Sequence, residues 1–283
     1  MNDHLKVIIA VVLTAVICVA GSAMIFNGDA QEGNKNQTLT IAGSTTVQPL
    51  MSKFQEEFEK YVNVTLNVSG GGSSAGASAV IQNTADIGMM SRDPKQSELD
   101  GGLKATVIGL DAVVIIVSKD AGVSNLTVEQ IAKIYSGEYT NWNQVGGNDK
   151  KINPVVREEG SGTRDCLEEA LKSALDGYET SSAFPAVEST GSMKTRVEST
   201  SGAIGYVSLS AASELTAETI AVSVDGVTAS VETVSSNDYP IYRTLILATN
   251  GEATGMTAFF FNWILSPAGQ NIVEEMGFVK ASA

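Results

Sequence analysis

Arg157-Glu158-Glu159-Gly160-Ser161-Gly162-Thr163-Arg164 is the stretch around which the rest of the chain is organised. A short apolar run over residues 152–156 leads into it, and a helical pattern over residues 166–175 leaves it. The spacing predicts a strand, a Gly-Ser-Gly-Thr turn, and a helix opened by that turn. The first turn of a helix leaves backbone N–H groups without partners, and the helix dipole adds partial positive charge there. Glycines let the backbone come close to a ligand, hydroxyls add donors, and Arg157 or Arg164 supplies a planar fork of N–H groups. Such an assembly suits a tetrahedral oxyanion. An ordinary Ser or Thr N-cap beside surface arginines is the competing reading.

Two upstream stretches share the design. Residues 38–42 alternate as a strand and run into Gly43-Ser44-Thr45-Thr46-Val47-Gln48-Pro49-Leu50. Thr45 and Gln48 have capping-box spacing. Leu50, Phe54, Phe58 and Tyr61 then recur at helical intervals to about Lys60. Residues 64–68 alternate again, followed by Ser69-Gly70-Gly71-Gly72-Ser73-Ser74-Ala75-Gly76, with Ser73 the candidate N-cap of a small-residue helix through Ile81. A short strand over residues 86–90 is left by Ser91-Arg92-Asp93-Pro94. That exit is either an exposed turn or a cation and a proton acceptor placed at the same strand end.

Further on, residues 106–117 are apolar except where Gly109 and Asp111 interrupt. Thr127 and Gln130 form another capping box ahead of a helix through Tyr135. Helix is expected at 191–198 and strand at 203–207. A hairpin is expected over 220–231 around Asp225-Gly226, a pair that favours a type I′ turn. A strand at 242–248 and helices at 256–265 and 267–276 complete the pattern. Strands alternating with helices imply an α/β fold with a mainly parallel sheet covered on both faces. Ligands of such sheets sit beyond the carboxyl ends of strands. Two hydroxyl-rich turns fall in the first section and one in the second, so a shared ligand would lie in a cleft between two lobes.

Composition narrows the function. The 283 residues carry 32 Asp and Glu against 18 Lys and Arg, a net charge of −14, which disfavours nucleic acid as a partner. The two cysteines are Cys18 and Cys166, and the one histidine is His4, near the N-terminus. The body therefore has no Ser–His–Asp triad and no Cys or His metal set, and no catalytic residue, metal or cofactor is assigned. Residues 7–26 run uncharged, long enough to span a bilayer, with His4 and Lys6 before them and Asp29 and Glu32 after. That asymmetry places the body outside the cytoplasm. Residues 1–26 read as a retained anchor or a signal segment cleaved near Gly21-Ser22-Ala23, and residues 27–37 as a polar tether.

Taken together, residues 38–279 resemble the extracytoplasmic phosphate-binding proteins of ABC importers, a type II periplasmic-binding-protein-like branch of the two-lobed, Venus-flytrap solute receptors. The resemblance is carried by residues 43–49, 72–76 and 157–163, and by Ile264-Leu265-Ser266-Pro267-Ala268-Gly269-Gln270. It implies two lobes, each a mainly parallel sheet flanked by helices. Residues 38–115 and 243–283 would form the first lobe, and 116–242 the second, with ligand in the interlobe cleft. Thr45 and Thr46 match the first phosphate-contacting turn, Ser73 the second, and Arg157, Ser161, Gly162 and Thr163 the third. The family's proton-accepting aspartate falls at Ser91 in an ungapped match, while Asp93 lies two residues later in Ser91-Arg92-Asp93. Asp93 is the candidate acceptor and Ser91 the alternative. The implied role is a monomeric receptor that hands inorganic phosphate to membrane permease subunits with a cytoplasmic ATPase. A receptor for sulfate, molybdate or tungstate, and a serine hydrolase or phosphatase using Ser161, are the competing functions.

Overall fold

The computed structural model describes residues 37–281. The expected anchor or signal segment and residues 27–36 of the tether lie outside the described residues. Among the described residues, no helix is long and apolar enough to cross a membrane.

Strand β1 (Gln37–Gly43) buries alternate residues, Leu39, Ile41 and Gly43. Helix α1 (Gln48–Phe58) buries Leu50, Met51, Phe54 and Phe58, with Pro49 in its first turn, where a missing N–H costs no helical bond. Then come β2 (Val64–Gly70), α2 (Ser73–Ile81), β3 (Ile87–Met90) and the short α3 (Gln96–Asp100). Strand β4 (Leu103–Ser118) is 16 residues long and runs through Gly109 and Asp111 without a break. It is followed by β5 (Asn125–Leu126), α4 (Val128–Ser136), β6 (Asn153–Pro154), β7 (Val156–Arg157), α5 (Gly162–Ala174), β8 (Ala186–Val187) and α6 (Thr190–Glu198). Next are β9 (Ala203–Ser208), α7 (Leu209–Ala212), β10 (Thr219–Ala221), β11 (Ser223–Val224) and α8 (Val231–Ser235). The chain ends through β12 (Tyr242–Asn250), α9 (Gly255–Leu265), α10 (Pro267–Glu275) and β13 (Val279–Lys280).

The large sheet runs β2-β1-β3-β12-β4-β9-β6, with β10 and β13 also paired to β4. The fold is α/β, and its sheet is mixed. Pairs β1–β2, β1–β3 and β6–β9 are parallel, whereas β12 runs antiparallel to both β3 and β4, and β4 to β9. The reason is the path of the chain. Helix crossovers return strands parallel on either side, but β4 and β12 carry the chain in opposite directions between two cores and lie side by side. One core gathers Ile41, Leu50, Phe54, Ile108, Leu247 and Phe260. In it the Phe58 ring centroid stands 4.7 Å from that of Phe260 and 5.1 Å from that of Trp263. The other large core gathers Ile115, Ile131, Trp142, Leu167, Ile204 and Tyr206, and a small third cluster gathers Ala77, Val80, Met90, Leu103, Ile246 and Ala248.

Local readings of the sequence need four corrections. The Thr45–Gln48 capping box does not form. Ser44 Oγ instead accepts the amides of Thr46 and Val47 at 3.2 and 3.4 Å, because Thr45 Oγ1 is engaged elsewhere. Ser73 is the first residue of α2 and not its cap; its hydroxyl accepts the Ser91 amide at 3.0 Å. The expected strand at 152–156 changes partner at Val155, pairing first with β9 and then with β8. The hairpin shrinks to a single bridge between Val224 and Val227. Asp225 and Gly226 do adopt positive φ, 50° and 81°, but β10 and β11 are drawn to β4 and β5, and the chain after Val231 is helical.

Helix α2 is seated against the sheet by close backbone contact. A Cβ on Gly76 would come within 2.7 Å of the Met89 carbonyl oxygen and 2.8 Å of that of Ala42, both backbone atoms that cannot swing aside. Gly76→Ala should therefore destabilise the protein by about 1–3 kcal/mol despite the higher helix propensity of alanine. Thermal unfolding checks this: an unchanged or raised midpoint would show that α2 can shift at no cost.

Candidate anion-binding site

Five turns at strand ends converge. Ser44, Thr45 and Thr46 join β1 to α1, Ser73 opens α2, Ser91 leaves β3, Ser161 to Thr163 open α5, and Thr190 opens α6. Ser44, Thr46, Ser73, Ser91, Arg157, Ser161 and Thr163 are each 2% exposed or less, so each polar group needs a partner inside the protein. They largely find one another. Ser44 Oγ donates to Ser91 Oγ at 2.9 Å, and Ser73 Oγ lies 3.4 Å from Ser91 Oγ. Thr46 Oγ1 stands 3.2 Å from Thr163 Oγ1 and 3.4 Å from Thr190 Oγ1, and Thr45 Oγ1 accepts the Thr190 amide at 3.4 Å. Thr45 and Thr46 belong to the first half of the fold, Thr163 and Thr190 to the second. Gly162 lies so close to Ser73 and Ser91 that a Cβ would collide with both hydroxyls.

Arg157 supplies the charge. The break at Val155 turns the chain so that this side chain enters the cluster, where Nη2 donates to Thr45 Oγ1 at 3.1 Å and Nη1 to Thr190 Oγ1 at 3.4 Å. Glu158 grips the same guanidinium through Nε at 2.7 Å and Nη2 at 2.8 Å. Its backbone is held as firmly: the Arg157 amide donates to Tyr206 Oη at 2.8 Å, and Arg164 Nη1 donates to the Arg157 carbonyl at 3.0 Å. Arg164 thus supports the turn from behind, with its Nε on Glu168 at 2.8 Å. Ser161 Oγ caps α5 by accepting the Arg164 amide at 3.4 Å.

The stretch after β3 divides. Ser91 is inside the hydroxyl cluster, but Arg92 and Asp93 are not. The Arg92 guanidinium is committed to Glu98 at 2.9 and 2.7 Å and to Ser74 Oγ at 3.0 Å, with Nε 2.9 Å from Asp165 on α5. It ties the two halves together, as does the Ser74 amide donating to the Gly160 carbonyl at 3.0 Å. Asp93 is exposed, and its carboxylate accepts from Thr244 Oγ1 at 2.6 Å. Asp93 therefore stands outside the hydroxyl cluster, and Ser91 stands within it.

Sequence reasoning also missed several residues that the fold assembles. Ser44 and Thr190 carry the same hydroxyl-before-helix signal as Thr45, Ser73 and Ser161. Arg243 and Asp111 form a buried pair, Oδ2 accepting from Nη2 at 2.7 Å and Nε at 3.0 Å, and Arg243 Nη2 also donates to Thr46 Oγ1 at 3.3 Å. Their signal is a charge set within an apolar run, Asp111 in 106–117 and Arg243 in 242–248, and they face each other in register. Full burial pushes the Asp111 carboxyl above the usual carboxylate range, while Arg243 and the backbone donors pull against it. Burial also pushes the Cys166 thiol up to about 12. Among the described residues, no cluster of His, Cys, Asp and Glu could hold a metal ion. The arrangement presents donors to an anion.

A model of the PBP superfamily domain matches residues 29–268. The chain is 32% identical over 271 residues to the phosphate-binding protein PstS of Borreliella burgdorferi, covering 93% of this chain and 96% of that protein. It is 34% identical over 272 residues to the phosphate-binding protein PstS of Bacillus subtilis, covering 93% and 88%. Among solved structures it is similar to one from Clostridium perfringens, described as a phosphate ABC transporter substrate-binding protein with bound phosphate. The identity there is 35%, the TM-score 0.81, and the coverage 87% of this chain and 100% of that one. An ABC-type phosphate transport receptor from Vibrio cholerae is 29% identical with a TM-score of 0.71, over 86% of this chain and 100% of that one.

Tyr206→Phe should leave the buried Arg157 amide without its acceptor, at about 1–3 kcal/mol of stability. Denaturant unfolding measures this directly. A variant as stable as the parent would mean that the amide finds another acceptor and that the Tyr206 hydroxyl does not anchor the turn.

Proposed function

The chain belongs to the PBP superfamily, in the branch of the PstS phosphate-binding proteins, and we propose that it captures inorganic phosphate outside the cytoplasmic membrane for an ABC importer. The observation that carries the reading is the convergence of buried hydroxyls from both halves on one buried guanidinium. Thr45, Thr46, Ser73, Ser91, Arg157, Ser161, Gly162 and Thr163 are the proposed contacts. The hydroxyls and the Arg157 fork donate to phosphate oxygens, and the α5 N-terminus adds its unpaired amides and dipole. A ligand held by both halves favours the closed arrangement by its differential affinity. The proposed lobe boundaries, 38–115 with 243–283 and 116–242, follow the two large cores except at residues 112–115 and Val279, which pack with the second. Delivery is to permease subunits served by a cytoplasmic ATPase, and the receptor acts as a monomer, held at the membrane by residues 7–26 or released after cleavage.

Capture without turnover is the proposed chemistry. Ser161 is engaged as a helix cap, the described residues include no histidine, and burial holds their one free thiol, Cys166, protonated up to about pH 12. Calorimetric titration with phosphate, sulfate, molybdate and tungstate, alongside a phosphate-ester hydrolysis assay, tests the assignment. Stoichiometric phosphate binding without hydrolysis is expected. A folded protein that takes up one of the other anions and not phosphate would overturn it.

Arg157→Ala should weaken phosphate binding by at least about 30-fold, because a buried charge-assisted contact is worth on the order of 2–5 kcal/mol. Near-native affinity in that variant would remove Arg157 from the site.

Selectivity turns on a proton. At neutral pH phosphate keeps at least one O–H, whereas sulfate is an acceptor only. A carboxylate would accept that O–H and repel sulfate; Ser91, which stands there instead, can accept from phosphate or rotate to donate to sulfate. Sulfate should therefore compete measurably with labelled phosphate. Asp93→Asn should leave the phosphate-to-sulfate ratio unchanged, and Ser91→Asp should widen it by at least about tenfold. A ratio altered by Asp93→Asn would return the acceptor role to that residue.

A further inference from the structure

The Arg243–Asp111 pair is not among the expected phosphate contacts, and its hydrogen bonding is incomplete. The two side chains are 2% and 0% exposed. The carboxylate is fully engaged, taking Nε and Nη2 of Arg243 on Oδ2 and the Leu209 amide on Oδ1 at 2.9 Å. The guanidinium is not: its Nη1 is buried with no partner. A buried ion pair repays its desolvation only when the remaining donors and acceptors are satisfied, and two apolar residues would otherwise hold the place as well or better. An unpaired N–H on a buried cation therefore points to a partner outside the protein.

The position of the fork shows which partner. Arg243 Nη2 donates to Thr46 Oγ1 at 3.3 Å, and that hydroxyl is 3.2 Å from Thr163 Oγ1. Its neighbour Thr45 takes the Arg157 Nη2 donor at 3.1 Å. Consecutive residues of one turn thus carry one guanidinium each. Asp111 occupies Nε and Nη2, which fixes the orientation of the fork and leaves Nη1 as the donor to spare.

Resting on the phosphate reading above, we propose that Arg243 is a second anion-binding arginine, donating through Nη1 to an oxygen of the bound phosphate. The site then has two guanidinium groups on a doubly charged tetrahedral ligand, each backed by its own carboxylate, Glu158 for Arg157 and Asp111 for Arg243. Such a pair favours a compact dianion over monoanions, because the second fork has no charged oxygen to meet when the ligand carries one charge.

The test uses the full chain. Arg243→Met combined with Asp111→Asn removes both charges together, so neither is left buried alone, and Arg243→Lys keeps the charge without the fork. The double variant should unfold near the wild-type temperature in the absence of phosphate and bind phosphate at least about 30-fold more weakly in calorimetric titration. Arg243→Lys should fall between the two. A crystal structure of the wild type with phosphate should place Nη1 within about 3.2 Å of a phosphate oxygen. Double-variant affinity within about threefold of wild type, or a phosphate complex in which Nη1 makes no bond to the anion, overturns the inference; the complex decides the matter should the variants fail to fold. A folded wild-type chain that takes up no phosphate is a different outcome, since it overturns the phosphate reading and with it this inference.

Discussion

A buried guanidinium needs a partner for each of its donors, and Arg157 is buried to 2% exposure. Much of the surrounding structure follows from that constraint. Glu158 supplies the countercharge from the next residue. Thr45 and Thr190 accept what Glu158 does not, and they come from different halves of the fold. Tyr206 and Arg164 hold the backbone on either side of the side chain, and the change of strand partner at Val155 aims it. The hydroxyl cluster is the lining of acceptors and donors that a buried charge requires, and the same lining presents donors to an anion.

The halves that meet at Arg157 are joined by the two long strands at the centre of the sheet. Strands β4 and β12 pair antiparallel from Leu103 with Asn250 to Ala112 with Tyr242, and the register slips between Leu245 and Ile246. Inside the cleft the halves touch through short polar contacts. Arg92 spans it to Asp165, Ser74 to Gly160 and Thr46 to Thr163. Polar contacts of this kind exchange readily for contacts with water or a ligand, whereas the packing of the two large apolar cores does not. The division of the protein into stable bodies and an exchangeable seam is thus written in the kinds of residue at each place.

The α/β class was legible because the signals behind it are local. Leu39 and Ile41 alternate, Leu50, Phe54 and Phe58 recur at helical spacing, and Gly, Ser and Thr punctuate the strand ends. The grouping of Thr45, Thr46, Arg157 and Thr163 was legible for the same reason, since one turn grammar is repeated. What escaped depends on partners distant in sequence. Thr45 does not cap its helix because a guanidinium 112 residues away claims its oxygen. The β-hairpin around Asp225 yields to strands that pair more profitably with β4 and β5. Asp93 is placed by Thr244, 151 residues on, and Arg243 and Asp111 look like isolated interruptions until the two strands are laid side by side.

The pairing of every cation in and around the cleft with its own carboxylate bears on how fast a ligand arrives. Arg157 has Glu158, Arg243 has Asp111 and Arg92 has Glu98, so the site carries little net charge inside a chain whose total is −14. An incoming anion is therefore not drawn in by a long-range field; it approaches a negative body and meets attraction only within hydrogen-bonding reach. Encounter is then slowest in dilute buffer and quickens as salt screens the repulsion, the reverse of electrostatically steered capture. Discrimination by escape rate, not by rate of arrival, is the kinetic regime that such a charge layout selects.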